Sequence, residues 1–192
     1  MNLSILISFC LALGLSAACG LRIFIPPLAV GIFSKTGFLE LGDSWDWLSN
    51  DWIIAVLLIA CIIEVCASLI PWLNNFMDLI ATPAAIIAGT ILAFSSLDGL
   101  DPGLQWILAV ICGVVVTTPF QLSTVSLRAL STTFSGGLAS PVFGVLENLM
   151  AIIITLFVLL IPIASLFFIF LLGFLINHLI SSLRKRRRNL LD

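Results

Sequence analysis

Long apolar runs, each close to the length of a bilayer crossing, alternate along this chain with short polar breaks. The runs are Leu3 to Cys19, Trp52 to Pro71, Leu79 to Leu97, Leu104 to Thr118, Pro141 to Ile161 and Ile163 to Leu183. A crossing helix needs ~20 apolar residues, so the pattern predicts an all-α membrane protein with about six transmembrane helices. The stretch from Leu138 to Ile180 would span ~64 Å as one straight helix, about twice the hydrocarbon core, so it must fold back, with Pro162 as the corner. Trp72 to Asp78 reads as a short connector, and Asp98 to Pro102 as a tight acidic turn.

Two breaks carry unusual residues. Gly20 to Phe33 holds Arg22, Pro26 and Pro27 inside an otherwise apolar run. Prolines remove backbone donors and oppose a straight helix. Non-helical backbone at membrane depth is tolerated where it lines a cavity or is buried in protein. The second break follows Thr118, with Pro119, a Ser/Thr-rich stretch and Arg128. Both are expected to be broken or re-entrant segments. Each half then reads as span, broken segment with one arginine, span, proline corner, span, with Leu69-Ile70-Pro71 matched by Leu160-Ile161-Pro162. The expected organisation is a 3+3 inverted-topology repeat, residues 1–97 and 98–183, followed by a basic tail at 184–192.

Composition agrees with this pattern. Of 192 residues, 61% are hydrophobic and 9% charged, far below the ~25% charged of a soluble domain. Net charge is -2, but its distribution is uneven. Arg184, Lys185, Arg186, Arg187 and Arg188 form one cationic block, while Glu40, Asp43, Asp46, Asp51 and then Asp98 and Asp101 form acidic loops. The positive-inside bias puts the block in the cytoplasm. With six crossings both termini are then cytoplasmic and both acidic loops outside, where Trp45 and Trp47 suit the membrane interface. Residues 1–20 lack a positive n-region and are taken as the first span, not as a signal peptide. The five cysteines show no paired spacing and read as small apolar core residues.

Five ionisable residues lie within or beside apolar runs: Arg22, Glu64, Asp78, Arg128 and Glu147. Intramembrane charges pair with one another or mark substrate and ion pathways. Arginine's planar fork of donors matches phosphate and carboxylate, so Arg22 and Arg128 are candidate anion ligands. Glu64 and Glu147 are candidate counter-charges or proton carriers. The structural alternative is a pair of helix locks, Arg22–Glu64 and Arg128–Glu147. Asn148 beside Glu147, and Asn74 with Asn75 before Asp78, are candidate cation ligands or helix caps. The Ser/Thr cluster could line a groove or satisfy backbone carbonyls. His178 reads as an interface residue. No nucleophile–base set, nucleotide loop, metal spacing or haem pair is visible, so no catalysis, cofactor or nucleic-acid partner is expected.

At Ala18-Cys19-Gly20-Leu21-Arg22, Phe24 and Pro26, followed by Glu64, Ser140-Pro141 and Leu146-Glu147, the chain resembles a bacterial membrane family called domain of unknown function 4126. The resemblance covers nearly everything except the basic tail. It implies a shared architecture and the importance of Arg22, Pro26, Glu64, Pro141 and Glu147, but carries no activity; the expected location is the bacterial inner membrane. In architecture the Arg22–Pro26 segment is also similar in style to DedA-type proteins, which pair re-entrant helices with arginines and carboxylates and are linked to lipid-phosphate translocation. The DedA signature itself is not reproduced.

The leading expectation is a small secondary transporter or flippase for an anionic substrate or lipid headgroup. Its site would be drawn from Arg22, Pro26, Pro27, Glu64, Asp78, Arg128, Glu147 and Asn148. Its partners would be membrane lipid, including anionic lipid at the basic tail, and a small anion or lipid phosphate. An oligomer is compatible. The alternatives are a cation channel or proton/cation exchanger using the carboxylates, and a non-transporting scaffold or assembly factor.

Overall fold

A computed structural model describes residues 3–37, 43–135, 140–162 and Phe167. The expected sixth span, His178, the basic tail, Glu40 and the Gly136–Gly137 break lie outside the described residues. So do the side chains of Asn74, Asn75 and the Ser/Thr cluster from Ser131 to Ser135.

The described residues are helical, with no strand among them. The helices are α1 (Leu3–Cys19), α2 (Ile25–Lys35), α3 (Asp51–Ser68), α4 (Pro71–Ser96), α5 (Pro102–Ile111), α6 (Thr117–Ser135) and α7 (Ser140–Leu160). A 3-10 turn at Asp43–Ser49 precedes α3. Among the described residues, three helical stretches are long and apolar enough to cross a membrane, at Asp51–Ser68, Pro102–Ala129 and Pro141–Leu160. Local signals set the starts. Asn50 Oδ1 accepts from the Trp52 amide at 3.0 Å, and Asp101 Oδ1 accepts from the Gly103 amide at 3.0 Å. Pro71 opens α4 and Pro102 opens α5, where a missing N–H costs nothing.

The bundle is inside-out relative to a soluble protein. Val56, Ile59, Ile62 and Ile63 on α3, and Val142, Leu149 and Ile153 on α7, face outward. Arginines and carboxylates face inward. A continuous apolar exterior around a charged interior suits lipid as solvent. Trp47 and Trp52 lie on the exterior, Trp52 at 81% exposure, whereas Trp45, expected at an interface, is a core residue at 3%.

Three sequence expectations are corrected. Residues 72–78 form the first two turns of α4 and are not a connector. The second break is also absent, because α5 runs into α6 through a π-helical stretch at Cys112–Val116. Pro119 gives the physical reason: it cannot donate to the carbonyl four residues back and its ring crowds that carbonyl. Widening the preceding turn absorbs the mismatch without breaking the helix. The described part of the second half therefore does not repeat the α1–α2 break of the first.

The third correction concerns the ends of the bundle. α1 packs antiparallel to α4. Ser4 and Ile5 border a groove of about 500 Å³ with Asp98 and Gly99, and Ser16 Oγ donates to the Gly89 carbonyl at 3.0 Å. Trp47 Nε1 donates to Ser95 Oγ at 3.5 Å, and Lys35 pairs with Asp51. The start of α1, the end of α2, the 3-10 turn and the α4–α5 turn thus share one end of the bundle. Placing the N-terminal end opposite the acidic loops does not hold.

Candidate functional site

α1 and α2 form a hairpin whose tip is Gly20–Phe24. The last turn of α1 tightens, with the Gly20 and Leu21 amides donating to Ala17 and Ala18 carbonyls at 3.1 and 3.0 Å. Gly20 lets the tip lie against α6, since a Cβ there would meet the Thr117 carbonyl oxygen at 2.6 Å. Thr117 Oγ1 in turn donates to the Ser16 carbonyl at 2.9 Å, tying α1 to α6. Pro26 and Pro27 sit in the first turn of α2, where helix amides lack intrahelical acceptors anyway. They define where α2 begins, and neither borders the cavity described below.

The tip leaves two backbone amides without helical acceptors, and Glu64 supplies both. Its Oε1 accepts from Ile23 N–H at 2.8 Å and its Oε2 from Phe24 N–H at 3.1 Å. The carboxylate also sits at the positive end of the α2 dipole. α3 is otherwise largely turned outward, and Glu64, Ala67 and Ser68 are its buried residues.

Arg22 is buried at 4% exposure. Its Nη2 donates to Glu147 Oε2 at 3.0 Å and to the Gly144 carbonyl at 3.2 Å. Glu147 Oε1 lies 3.1 Å from Arg128 Nε, and Arg128 Nη1 lies 2.7 Å from Asp78 Oδ1. The hairpin tip, α7, α6 and α4 are thereby joined in one chain of charges, Arg22–Glu147–Arg128–Asp78. The expected Arg128–Glu147 pair is present. The expected Arg22–Glu64 pair is replaced: Arg22 pairs with Glu147, because Glu64 is turned onto the tip amides. Among the described residues, Glu64 makes no ion pair.

A cavity of about 190 Å³ opens against this network. Arg22, Glu64, Asp78, Arg128 and Gln121 supply its polar lining, and Phe24, Met77, Ile80, Ala81 and Ala84 part of its apolar wall. Asp78, Arg128 and Glu147 each lie two turns, about 10 Å, inside the Pro71, Ser135 and Ser140 helix ends. The site is thus nearer that end of the bundle, and the open ends of the hairpin are at the other. Among the described residues, the buried polar atoms without a hydrogen-bond partner include Arg22 Nε, Thr118 Oγ1 and Asn148 Oδ1. Arg22 borders the cavity, whereas Asn148, also expected at the site, does not.

Sequence reasoning missed four contributors. Gln121 carries no motif, and the Ile23 and Phe24 amides are invisible to side-chain reading. The Gly144 carbonyl is likewise a backbone group, on the stretch of α7 that packs closely on α3, where a Cβ at Gly144 would meet the Ser68 carbonyl oxygen at 2.8 Å. No curated protein and no solved structure matches this chain. A family profile covers residues 9–182, and by that match, over an arginine–carboxylate hairpin site held in an apolar bundle, the chain belongs to the family described as Domain of unknown function (DUF4126).

Proposed function

We propose that this protein is a small inner-membrane transporter or flippase whose site binds an anionic group, such as the phosphate of a lipid headgroup, at the tip of a re-entrant hairpin. The observation that carries this reading is Arg22. A guanidinium held at 4% exposure in an apolar bundle, bordering a cavity with an unpartnered Nε donor, suits an acceptor oxygen from outside the chain. The apolar wall beside it suits a headgroup better than a free hydrated anion. The bundle end with both acidic loops and exposed Trp47, Trp52 and Trp106 is the outer face, by the aromatic-belt and positive-inside tendencies. The hairpin then enters from outside and carries Arg22 past the midplane, leaving the site nearer the cytoplasm. The start of α1 is outside as well.

The test is native mass spectrometry of the protein released from nanodiscs of phosphatidylethanolamine and phosphatidylglycerol, with Arg22→Lys as the variant. Lysine keeps the charge and loses the Nε–H and the fork. The expected result is a phosphate-bearing lipid on the wild type, reduced at least ~10-fold in the variant at an unchanged melting temperature. Wild-type protein without any bound phospholipid, or equal retention by Arg22→Lys, overturns the reading. A second reading, cation or proton exchange, is favoured by one count: three carboxylates against two guanidiniums leave one formal negative charge. Cation flux in liposomes that Glu64→Gln abolishes would establish it in place of the first.

A further inference from the structure

We propose that the ligand of this cavity is a zwitterion, a short unit in which an ammonium group is linked to an oxyanion. Its oxyanion would meet Arg22 Nε and its ammonium would meet Glu64. This rests on the headgroup reading above and narrows it to a substrate class.

The argument comes from two groups of opposite sign on one cavity wall that keep unused hydrogen-bonding capacity: the Nε donor of Arg22, whose Nη2 is held by Glu147, and the carboxylate of Glu64. Glu64 is 7% exposed, borders the cavity and has no cationic side chain within ion-pair distance among the described residues. Each of its oxygens accepts one backbone amide. A carboxylate oxygen offers two acceptor positions, so each retains one. Arg22 Nε is a buried donor with no acceptor. An anion alone would satisfy Arg22 while lying beside an unneutralised carboxylate, and a cation alone would satisfy Glu64 while lying beside a guanidinium. Both arrangements leave a buried polar group unmatched, which is expensive in a low-dielectric site. A linked ammonium and oxyanion matches both at once and brings no net charge into the membrane.

The rest of the lining fits the same ligand. Arg128 and Asp78 already neutralise each other at 2.7 Å, so they add no net field to select for either sign. Phe24, Met77, Ile80, Ala81 and Ala84 offer an apolar surface to the linker or to the start of an acyl chain. The headgroup of a phosphoethanolamine lipid and a soluble molecule of the same chemistry both carry this unit, and the experiment separates the two sources.

The experiment uses full-length protein in nanodiscs with equal amounts of phosphatidylethanolamine and phosphatidylglycerol of matched chains, read by native mass spectrometry. On the wild type, the ethanolamine lipid is expected to be retained about 10-fold over the glycerol lipid. In Glu64→Gln, which keeps a carbonyl oxygen for a tip amide, the ratio is expected to fall to within about 2-fold. Displacement of the lipid by soluble glycerophosphoethanolamine assigns the site to a free zwitterion, and a lipid that resists it assigns the site to the membrane-borne headgroup. Equal retention of both lipids by the wild type overturns the zwitterion while leaving the headgroup reading intact. Retention of neither overturns both. The wild-type comparison decides the matter even where Glu64→Gln fails to fold.

Discussion

Glu147 bridges the two arginines, and removing its charge is the sharpest test of the network. In Glu147→Gln the shape is kept while Arg22 and Arg128 both lose a carboxylate, at 3.0 and 3.1 Å respectively. Breaking a buried pair by neutralising one partner costs ~3–5 kcal/mol, because the other charge stays buried. The loss should not fall evenly. Arg128 keeps Asp78 at 2.7 Å, whereas the hydrogen-bond partner remaining to Arg22 is the Gly144 carbonyl at 3.2 Å. A double-mutant cycle should therefore give a coupling of ~2–3 kcal/mol between Glu147→Gln and Arg22→Gln, and of only ~1 kcal/mol with Arg128→Gln. The assay is reversible unfolding in one detergent, with all variants at the same pH and salt. Additivity within ~0.5 kcal/mol for the Arg22 cycle, or a larger coupling to Arg128, would refute the network as drawn.

Two further outcomes follow from packing and topology. Gly20→Ala puts a methyl 2.6 Å from the Thr117 carbonyl oxygen and from the Phe120 Cβ, so the tip must lift from α6. A loss of ~1–3 kcal/mol in the same unfolding assay is expected, and wild-type stability would mean the approach is looser than described. For topology, single cysteines at Ser4 and Gly99 in a background without the five native cysteines should react with a membrane-impermeant thiol reagent from the same side of sealed vesicles. One at Ile70 should react from the other side. Labelling of Ser4 and Gly99 from opposite sides would eliminate the hairpin as a re-entrant element.

Much of the architecture was legible because it rests on composition and on prolines. The apolar runs gave the helices, Pro71 and Pro162 marked where α3 and α7 end, and Arg22 with Pro26 and Pro27 located the hairpin tip. The charged members of the site were legible for the same reason: a charge inside an apolar run stands out. Their pairing was not, because several pairings of two arginines with three carboxylates are compatible with the letters. What decided it was the backbone of the tip, whose amides claim Glu64 and leave Arg22 to Glu147. The second break was misread because Pro119 usually ends a helix, and a π-helical stretch can accommodate it instead. The placement of α1 relative to the acidic loops was misread because the start of α1 and the end of α2 lie at the same end of the bundle as the α4–α5 turn, which counting crossings does not reveal.

The arithmetic of the site bears on why these charges are there. A helix lock needs one arginine and one carboxylate with every donor matched, because a partly matched buried network is less stable than an apolar core. This bundle instead holds five charged groups with one excess carboxylate, a buried guanidinium donor without an acceptor, and a cavity beside them. Stability alone would favour Leu or Met at several of these positions. The hairpin adds a further demand, since the Ile23 and Phe24 amides leave the helical ladder and depend on a buried carboxylate, Glu64, for their acceptors. A break that brings a guanidinium with an unmatched donor to a cavity, beside a carboxylate already holding the two tip amides, is better explained by what the cavity binds than by what it fastens.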